Sequence, residues 1–536
     1  MPIQYRIHPA IGVARVGDSL DDYFIGPEAP GIPATLTKPD APALPNGQPG
    51  KYKDDKQRIK RQGARFRIYE YTTSAAGAVT KVREITAADA RIEWEVHLTN
   101  GKAAAEKIPD SGNPPTGERR NITVPKKNLI LDPGPQQISG PSQKMKRLLG
   151  RFMDKLDVPI GDLLTDAAGR LIVLGGFGKS QSVPPGASLT NFANNDGWCD
   201  DTSDGPVRAK VTLNGATSAV EADPAWVLVA PPDFAPPIEN VVTLYDVVYD
   251  QMAKVVAPSL AVTDASKVSF TKDIYPLLRR VSMLRWVSGI AAGGHGAGGR
   301  NDFIGQVALL ASNKSDADTA DRRNRIFGAL RNPRTGLGRM PKLPMKTNKN
   351  VRGPFVTETM YKRMERWAQG KFDADWTGAE PAPVAFDKLP DAEKPKALDR
   401  AALEACVGGP FFPGIEVSGM MLDAATYDPK RPFRVKTTLQ PGALTARMAI
   451  PWQADFRDCG EEGSADWWPG QRPIHVFSSN QSGADDWVPN KGKEKWDLVD
   501  MVNQWSELGF IVADKSSGAV RFVESERNVK PKTTLA

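Results

Sequence analysis

Between residues 402 and 473 the sequence sets a lone cysteine, in A-C-V-G-G-P-F-F-P-G-I-E, upstream of a tryptophan doublet, in D-W-W-P-G-Q-R-P. Cys406 closes a short helix-like run that begins near Asp399, and Gly408 and Gly409 stop that helix just after the sulfur. The thiol therefore sits at a sharp, backbone-dense corner. Trp467 and Trp468 lie between an acidic turn, C-G-E-E-G-S-A-D, and Pro469, so neither indole belongs to a long regular element. A fixed thiol and a fixed indole can meet, although buried Cys and Trp also serve as ordinary core residues. Cys459, inside the acidic turn, offers a second sulfur.

Other chemistries leave weaker traces. The four histidines, His8, His97, His295 and His475, are far apart, and no H-E-x-x-H or His/Cys pair exists, so no metal centre is expected. Arg170 to Ser180, R-L-I-V-L-G-G-F-G-K-S, has Val173 where a phosphate loop needs glycine, and reads as a buried strand with a glycine turn. Gly294, Gly296 and Gly299 match G-x-G-x-x-G, but no alternating strand precedes them, so a loop is expected there, with His295 exposed. The acidic N-N-D-G-W-C-D-D-T-S-D-G-P-V carries Asp196, Asp200, Asp201 and Asp204 without the spacing or terminal Glu of a calcium loop. Aspartate also favours turns.

The elements that must position these groups change character along the chain. Ile92, Trp94, Val96 and Leu98 alternate with polar neighbours, strands are also expected near I-G-V-A-R-V and from Arg65, and residues 31 to 64 are loop-like. Helices are expected over Tyr275 to Val287, Ala317 to Leu330, Thr357 to Gln369 and Asp497 to Leu508, with a closing hairpin around Ser516 to Gly518. The fold class is α+β: residues 1–260 β-rich with long loops, 261–395 mainly helical, and 396–536 a mixed region that bears the candidate site and packs on the other two. Proline (45) and glycine (48) exceed their ordinary shares of roughly 5% and 7%, which implies many stiff loops.

Charge narrows the partners. Seventy basic residues face 63 acidic ones for a net +7, and the basic runs Lys51 to Lys60 and Lys342 to Arg352 contain one aromatic, Tyr52, so solvated loops rather than nucleic-acid binding are expected. Three cysteines make no disulfide framework, which fits a reducing, cytoplasmic setting. No signal-peptide core and no membrane-length apolar run is present, and a soluble protein is expected.

Four segments, in order, resemble the LodA-like family of amino-acid oxidases, which includes L-lysine 6-oxidase and glycine oxidase: I-H-P-A-I-G-V-A-R-V-G-D-S with Y-F-I-G-P-E, the acidic N-N-D-G-W-C-D-D-T-S-D-G-P-V, C-V-G-G-P-F-F-P-G-I-E, and P-W-Q-A-D-F with W-W-P-G-Q-R-P. The resemblance implies a cysteine tryptophylquinone in which Cys406 supplies the sulfur and Trp467 or Trp468 the indole. It implies oxidation of a primary amine or amino acid to a carbonyl product, with ammonia and hydrogen peroxide released and dioxygen consumed. A flavoprotein maturation partner, a homo-oligomer and export without a signal peptide also belong to the family pattern. Asp200, Asp201, Glu416, Asp455 and His475 lie in or beside the matching segments and are the candidate proton acceptors. Two departures stand out. The family places aspartate four residues before the cysteine, where this chain has Ala402, with Asp399 and Glu404 the nearest carboxylates; and it places tyrosine where this chain has Cys199. The alternative is a same-fold protein with an altered or absent quinone, acting on a carrier-bound or peptide substrate or as a noncatalytic scaffold.

Overall fold

Apolar residues at every second position build the N-terminal strands. In the computed structural model, Ile92, Trp94 and Val96 are buried while Arg91, Glu93 and Glu95 face outward. The structure describes residues 2–42, 50–108, 117–340, 356–408, 416–458, 470–478, 484–491, 494–516 and 518–528. In chain order the first strands are β1 (Ile3–His8), β2 (Ile11–Arg15), β3 (Tyr23–Ile25), β4 (Arg61–Thr73), β5 (Val79–Ile85), β6 (Ala90–Val96), β7 (Gln136–Ser139) and β8 (Lys146–Phe152). They are followed by β9 (Leu156–Thr165), β10 (Leu171–Gly175), β11 (Gln181–Ser182), β12 (Trp198–Cys199), β13 (Ser203–Leu213), β14 (Val220–Glu221) and β15 (Ala225–Ala230).

Among the described residues, one large sheet runs β7-β6-β13-β15-β2-β4-β10-β9-β8, with β1, β3 and β5 added to β4 and β14 to β13. β2 is central and pairs in parallel with β15, and all five of its residues are buried, as a near-continuous apolar run demands. Ile11 and Val13 feed one hydrophobic core, and Ala14 and the following Val16 feed the other. Arg15 therefore emerges on the Ile11/Val13 face. Gly12 is required there, because a Cβ would lie 2.5 Å from the Phe66 ring.

Helices fill the middle of the chain: α1 (Leu244–Val255), α2 (Tyr275–Met283), α3 (Gly289–His295), α4 (Val307–Leu310), α5 (Ala317–Ala329) and α6 (Glu358–Ala368). Thr243 and Asp246 form a capping box on α1, and Met360, Met364 and Trp367 make the buried stripe of α6. The expected glycine loop is partly helical, since Gly293, Gly294 and His295 end α3, with Ser288 capping its start. His295 is half-buried, with Nδ1 2.9 Å from the Asn301 carbonyl. The C-terminal elements are α7 (Lys394–Glu404), α8 (Trp452–Asp458), β16 (His475–Phe477), β17 (Ala484–Asp486), β18 (Asn490–Lys491), β19 (Glu494–Lys495), α9 (Leu498–Gln504), β20 (Phe510–Asp514) and β21 (Arg521–Ser525). β20 and β21 form the closing hairpin, and Asp497 caps α9. The architecture is α+β.

One basic residue departs from the solvated-loop expectation. Lys53 is buried, and that burial pushes its ammonium down to about 8 against the opposing charges of Glu507, Asp18 and Glu526. Lys342 to Arg352 lies outside the described residues. No helix among the described residues is long and apolar enough to cross a membrane.

Candidate active site

Cys406 sits just beyond α7. The helix starts earlier than Asp399, at Lys394, because Pro395 is tolerated in a first turn that needs no N–H donor. Asp399 Oδ1 accepts from the Ala10 N–H at 2.6 Å and lies 2.9 Å from His8 Nδ1, which pins α7 to the β1–β2 corner. After the helix ends, the Cys406 carbonyl accepts from Leu244 N–H at 2.9 Å and Gly408 N–H donates to the Val242 carbonyl at 2.9 Å. A Cβ at Gly408 would lie 1.9 Å from the Thr243 carbonyl oxygen, so this glycine lets the cysteine corner dock on the start of α1.

The thiol donates to the Ala402 carbonyl at 3.3 Å. Arg15 reaches it from β2: Nη2 lies 3.7 Å from Cys406 Sγ and donates to the Ala405 carbonyl at 2.8 Å, while Nη1 donates to the Pro231 carbonyl at 3.1 Å. Arg15 also forms an ion pair with Glu416, whose other oxygen accepts from Val407 N–H. Arg15, Cys406 and Glu416 are only 3%, 3% and 1% exposed, so their charges must balance one another rather than rely on water. Burial, then the Glu416 charge, pushes the thiol well above its ordinary range and keeps it protonated. Burial likewise raises the Glu416 carboxyl against the opposing pull of Arg15.

A third acidic group completes the cluster. Asp233 is half-buried, and burial pushes it up to about 7, with Arg15 opposing and Glu416 adding to the rise. Its Oδ1 accepts from Ala235 N–H at 2.9 Å. The segment around it is a bridge. Pro231 receives Arg15, Pro232 receives Gln471 Nε2 at 3.3 Å, Phe234 N–H donates to the Gln471 carbonyl at 2.9 Å, and the Phe234 carbonyl accepts from Ile511 N–H at 2.8 Å. Asp233 thus stands between the Cys406 corner and the chain that follows the tryptophan doublet. Sequence reasoning missed Arg15 and Asp233. The signal for Arg15 was a lone charge ending an apolar strand; Asp233 was hidden in the proline-rich A-P-P-D-F-A-P-P, which carries no catalytic motif.

The remaining candidates fall in several places. Trp467, Trp468 and Cys459 lie outside the described residues. Asp200 is fully buried and pairs with Lys102 at 2.8 Å, accepting also from Asn100 Nδ2, Thr202 Oγ1 and Trp452 N–H. Asp201 packs on Gly176, accepts from Lys179 N–H at 3.2 Å, and is pushed up to about 7 by burial and by Asp200. Asp204 accepts from Trp226 Nε1 and from Thr445, so the acidic loop staples the 444–452 segment to the sheet. His475 lies in β16; its Nδ1 accepts from Gly289 N–H at 3.0 Å, and its Nε2 is 3.8 Å from Asp486. Asp455 is buried in α8. Glu404 pairs with Arg400 and Arg280, and Asp399 with His8, so the carboxylate held against the cysteine is Glu416. Ala402 lines a small cleft with Pro9, Val13, Gln62 and Leu398. Cys199 is buried, and burial raises its thiol.

Residues 8–229 match a family profile described as L-Lysine epsilon oxidase N-terminal, and residues 339–482 match one described as L-lysine epsilon oxidase C-terminal domain. The chain belongs to the LodA-like family. Both matched stretches of this LodA-like chain carry the site: the first holds Arg15 and the second holds Cys406 and Glu416. It is 27% identical to the L-lysine 6-oxidase of Marinomonas mediterranea over 84% of this chain and 70% of that protein. Crystal structures of the L-Lys epsilon-oxidase from the same organism, one of them its Schiff base intermediate with L-Lys, share the fold with a TM-score of 0.76 at 22% identity, covering 98% of this chain and 95% of theirs.

Proposed function

We propose that this chain is an oxidase of a primary amine or amino acid, working through a cysteine tryptophylquinone made from Cys406 and Trp467 or Trp468. Homology to L-lysine 6-oxidase supports the amino-acid oxidase class, and with it an oxidoreductase. The observation that carries the cofactor half is the buried Cys406 thiol, held by Arg15 and flanked by Glu416. These residues suit the group. The thiol must lose its proton when sulfur bonds to carbon, and a buried carboxylate beside it can receive that proton while Arg15 balances the charge. Gln471, which follows the doublet in the chain, donates to the Pro232 carbonyl, next to the Pro231 carbonyl that Arg15 holds.

Making the cofactor replaces S–H and one indole C–H by an S–C bond and puts two oxygens on the ring. The oxidants are dioxygen and a flavoprotein maturation partner. Once formed, the quinone supplies an electrophilic carbonyl and a two-electron sink, through which the amine becomes a carbonyl compound and ammonia and dioxygen becomes hydrogen peroxide. Glu416 would receive the proton that leaves the sulfur, Arg15 fixes Glu416 and the Pro231 backbone, and the tightly packed corner at Gly408 keeps Cys406 from moving. A homo-oligomer and cytoplasmic residence, or export without a signal peptide, go with this reading.

The test is peptide mass spectrometry on protein produced together with its neighbouring genes. A Cys406 peptide joined to the Trp467/Trp468 peptide, with two oxygens gained and four hydrogens lost, supports the oxidase. Unmodified peptides overturn it and favour a differently modified enzyme or a scaffold, the reading toward which Ala402 in place of the family's aspartate points.

A further inference from the structure

His8, Tyr71 and Arg434 are buried where β1, β4 and the 428–435 segment meet α7, and the reaction proposed above makes no use of them. We propose that the Tyr71–His8–Asp399 chain is an acid-sensitive latch: neutral His8 fastens α7, and with it the Cys406 corner, to the sheet, and a proton taken up by His8 lets the helix go. The latch does not depend on the quinone, so its failure would leave the oxidase reading untouched.

Arg434 decides where the His8 proton sits. Its Nη2 lies 3.4 Å from His8 Nε2 and donates to the Ile7 carbonyl at 2.7 Å, while Nη1 donates to the Pro224 carbonyl at 2.6 Å. A guanidinium only donates, so Nε2 faces it with a lone pair, and the ring proton lies on Nδ1, 2.9 Å from Asp399 Oδ1. Tyr71 Oη, 3.0 Å from the same Nε2, then donates to it. Burial, followed by the Asp399 charge, pushes the phenol up to about 12, so this donor keeps its proton. The neutral ring is satisfied on both sides, and Asp399 accepts a second bond from Ala10 N–H.

A second proton reverses the Nε2 side. Its N–H would point at the Arg434 donor, and Tyr71 would have to give up its own donor role. Arg434 cannot retreat, because the Ile7, Pro224 and Asp223 carbonyls all hold it. The charged and titratable groups facing the ring are Asp399 from α7, Tyr71 and Tyr69 from β4, Arg434, and Arg6 from β1, which stacks on Tyr71 at 4.4 Å. Asp223 stands behind them, paired with Arg6 and Arg431. Burial, with Arg434 and Arg6 adding and Asp399 opposing, lowers the imidazole below its ordinary 6.5. An opened latch therefore binds the proton more readily than a closed one, so closure is fully stable above pH 6.5 and weakens as pH falls below it.

Release at this point reaches the thiol. No side chain caps the first turn of α7, and its Arg400–Glu404 pair runs along the helix rather than across to the sheet. Asp399 precedes Cys406 by seven residues, or about two turns. Freeing Asp399 leaves the Cys406 corner to the grip of Arg15 on the Ala405 carbonyl and of Val242 and Leu244 on the backbone beyond it.

The experiment compares hydrogen exchange of full-length wild type and His8→Gln from pH 7.5 to 5, with rates corrected for the chemical effect of pH and referred to the amides of β13. In wild type the amides from α7 through Val407 are expected to speed up by at least ~3-fold below pH 6.5, and by no more than about tenfold per pH unit for a single proton. His8→Gln, which cannot take the proton, is expected to lose that rise. A smaller rise in wild type, or an equal one in His8→Gln, overturns the latch. In histidine-labelled protein the His8 ring is expected to be neutral at pH 6.5 with its proton on Nδ1, read by heteronuclear NMR. A half-protonated ring at that pH, or a proton on Nε2 instead, also overturns it. If His8→Gln does not fold, Tyr71→Phe takes its place: loss of the donor to Nε2 is expected to speed α7 exchange at pH 7.5 and blunt its acid rise, and a wild-type profile overturns the latch.

Discussion

Arg15→Met removes the positive member of a pair whose side chains are 4% and 1% exposed. It leaves the Glu416 carboxylate without its counter-charge and takes donors from the Ala405 and Pro231 carbonyls. Breaking one side of a buried ion pair costs about 3–5 kcal/mol. At roughly 2.1 cal/mol/K per residue, 536 residues give an unfolding entropy of about 1.1 kcal/mol/K, so Tm is expected to fall by about 3–5 °C. The double variant Arg15→Met/Glu416→Gln removes both charges and is expected to recover more than half of that loss. Calorimetry of wild type, both single variants and the double variant at pH 8 reads the coupling directly. A single variant within 1 °C of wild type, by this same scale about 1 kcal/mol, or a double variant that merely sums the two singles, would refute the claim that the pair balances itself inside the site.

Other outcomes follow from the same geometry. Glu416→Gln, expressed with the neighbouring genes, is expected to fold but to yield less than about a tenth of the wild-type cross-linked peptide, consistent with loss of a general base; an unchanged yield removes Glu416 from cofactor formation. Gly408→Ala places a methyl against the Thr243 carbonyl, and both the cross-link yield and Tm should drop. Asp201 gains protons on folding because its folded value, about 7, lies above the unfolded 3.8. Its contribution is therefore fully present below pH 3.8 and is lost as pH rises to about 7. Asp201→Asn should flatten that decline, so its Tm advantage over wild type grows between pH 5 and 8; a constant difference across that range contradicts the assignment.

Much of the fold and half of the site were legible in the sequence. Periodicity marked β6, α2, α6 and α9, because side chains that alternate or recur every third and fourth residue must share a buried face. Gly408 marked the cysteine corner for a local reason, a backbone approach that tolerates no Cβ. What the sequence could not order were the carboxylates. Asp399, Glu404, Glu416 and Asp233 look alike as letters, and their roles depend on partners far away in the chain: His8 for Asp399, Arg280 for Glu404, Arg15 for Glu416. Only tertiary structure brings β2 beneath α7 and sets the Pro231–Phe234 bridge between Cys406 and Gln471. Local pattern determines which residues are buried, but the charge a buried group can keep is decided by whatever the fold places within a few ångströms of it.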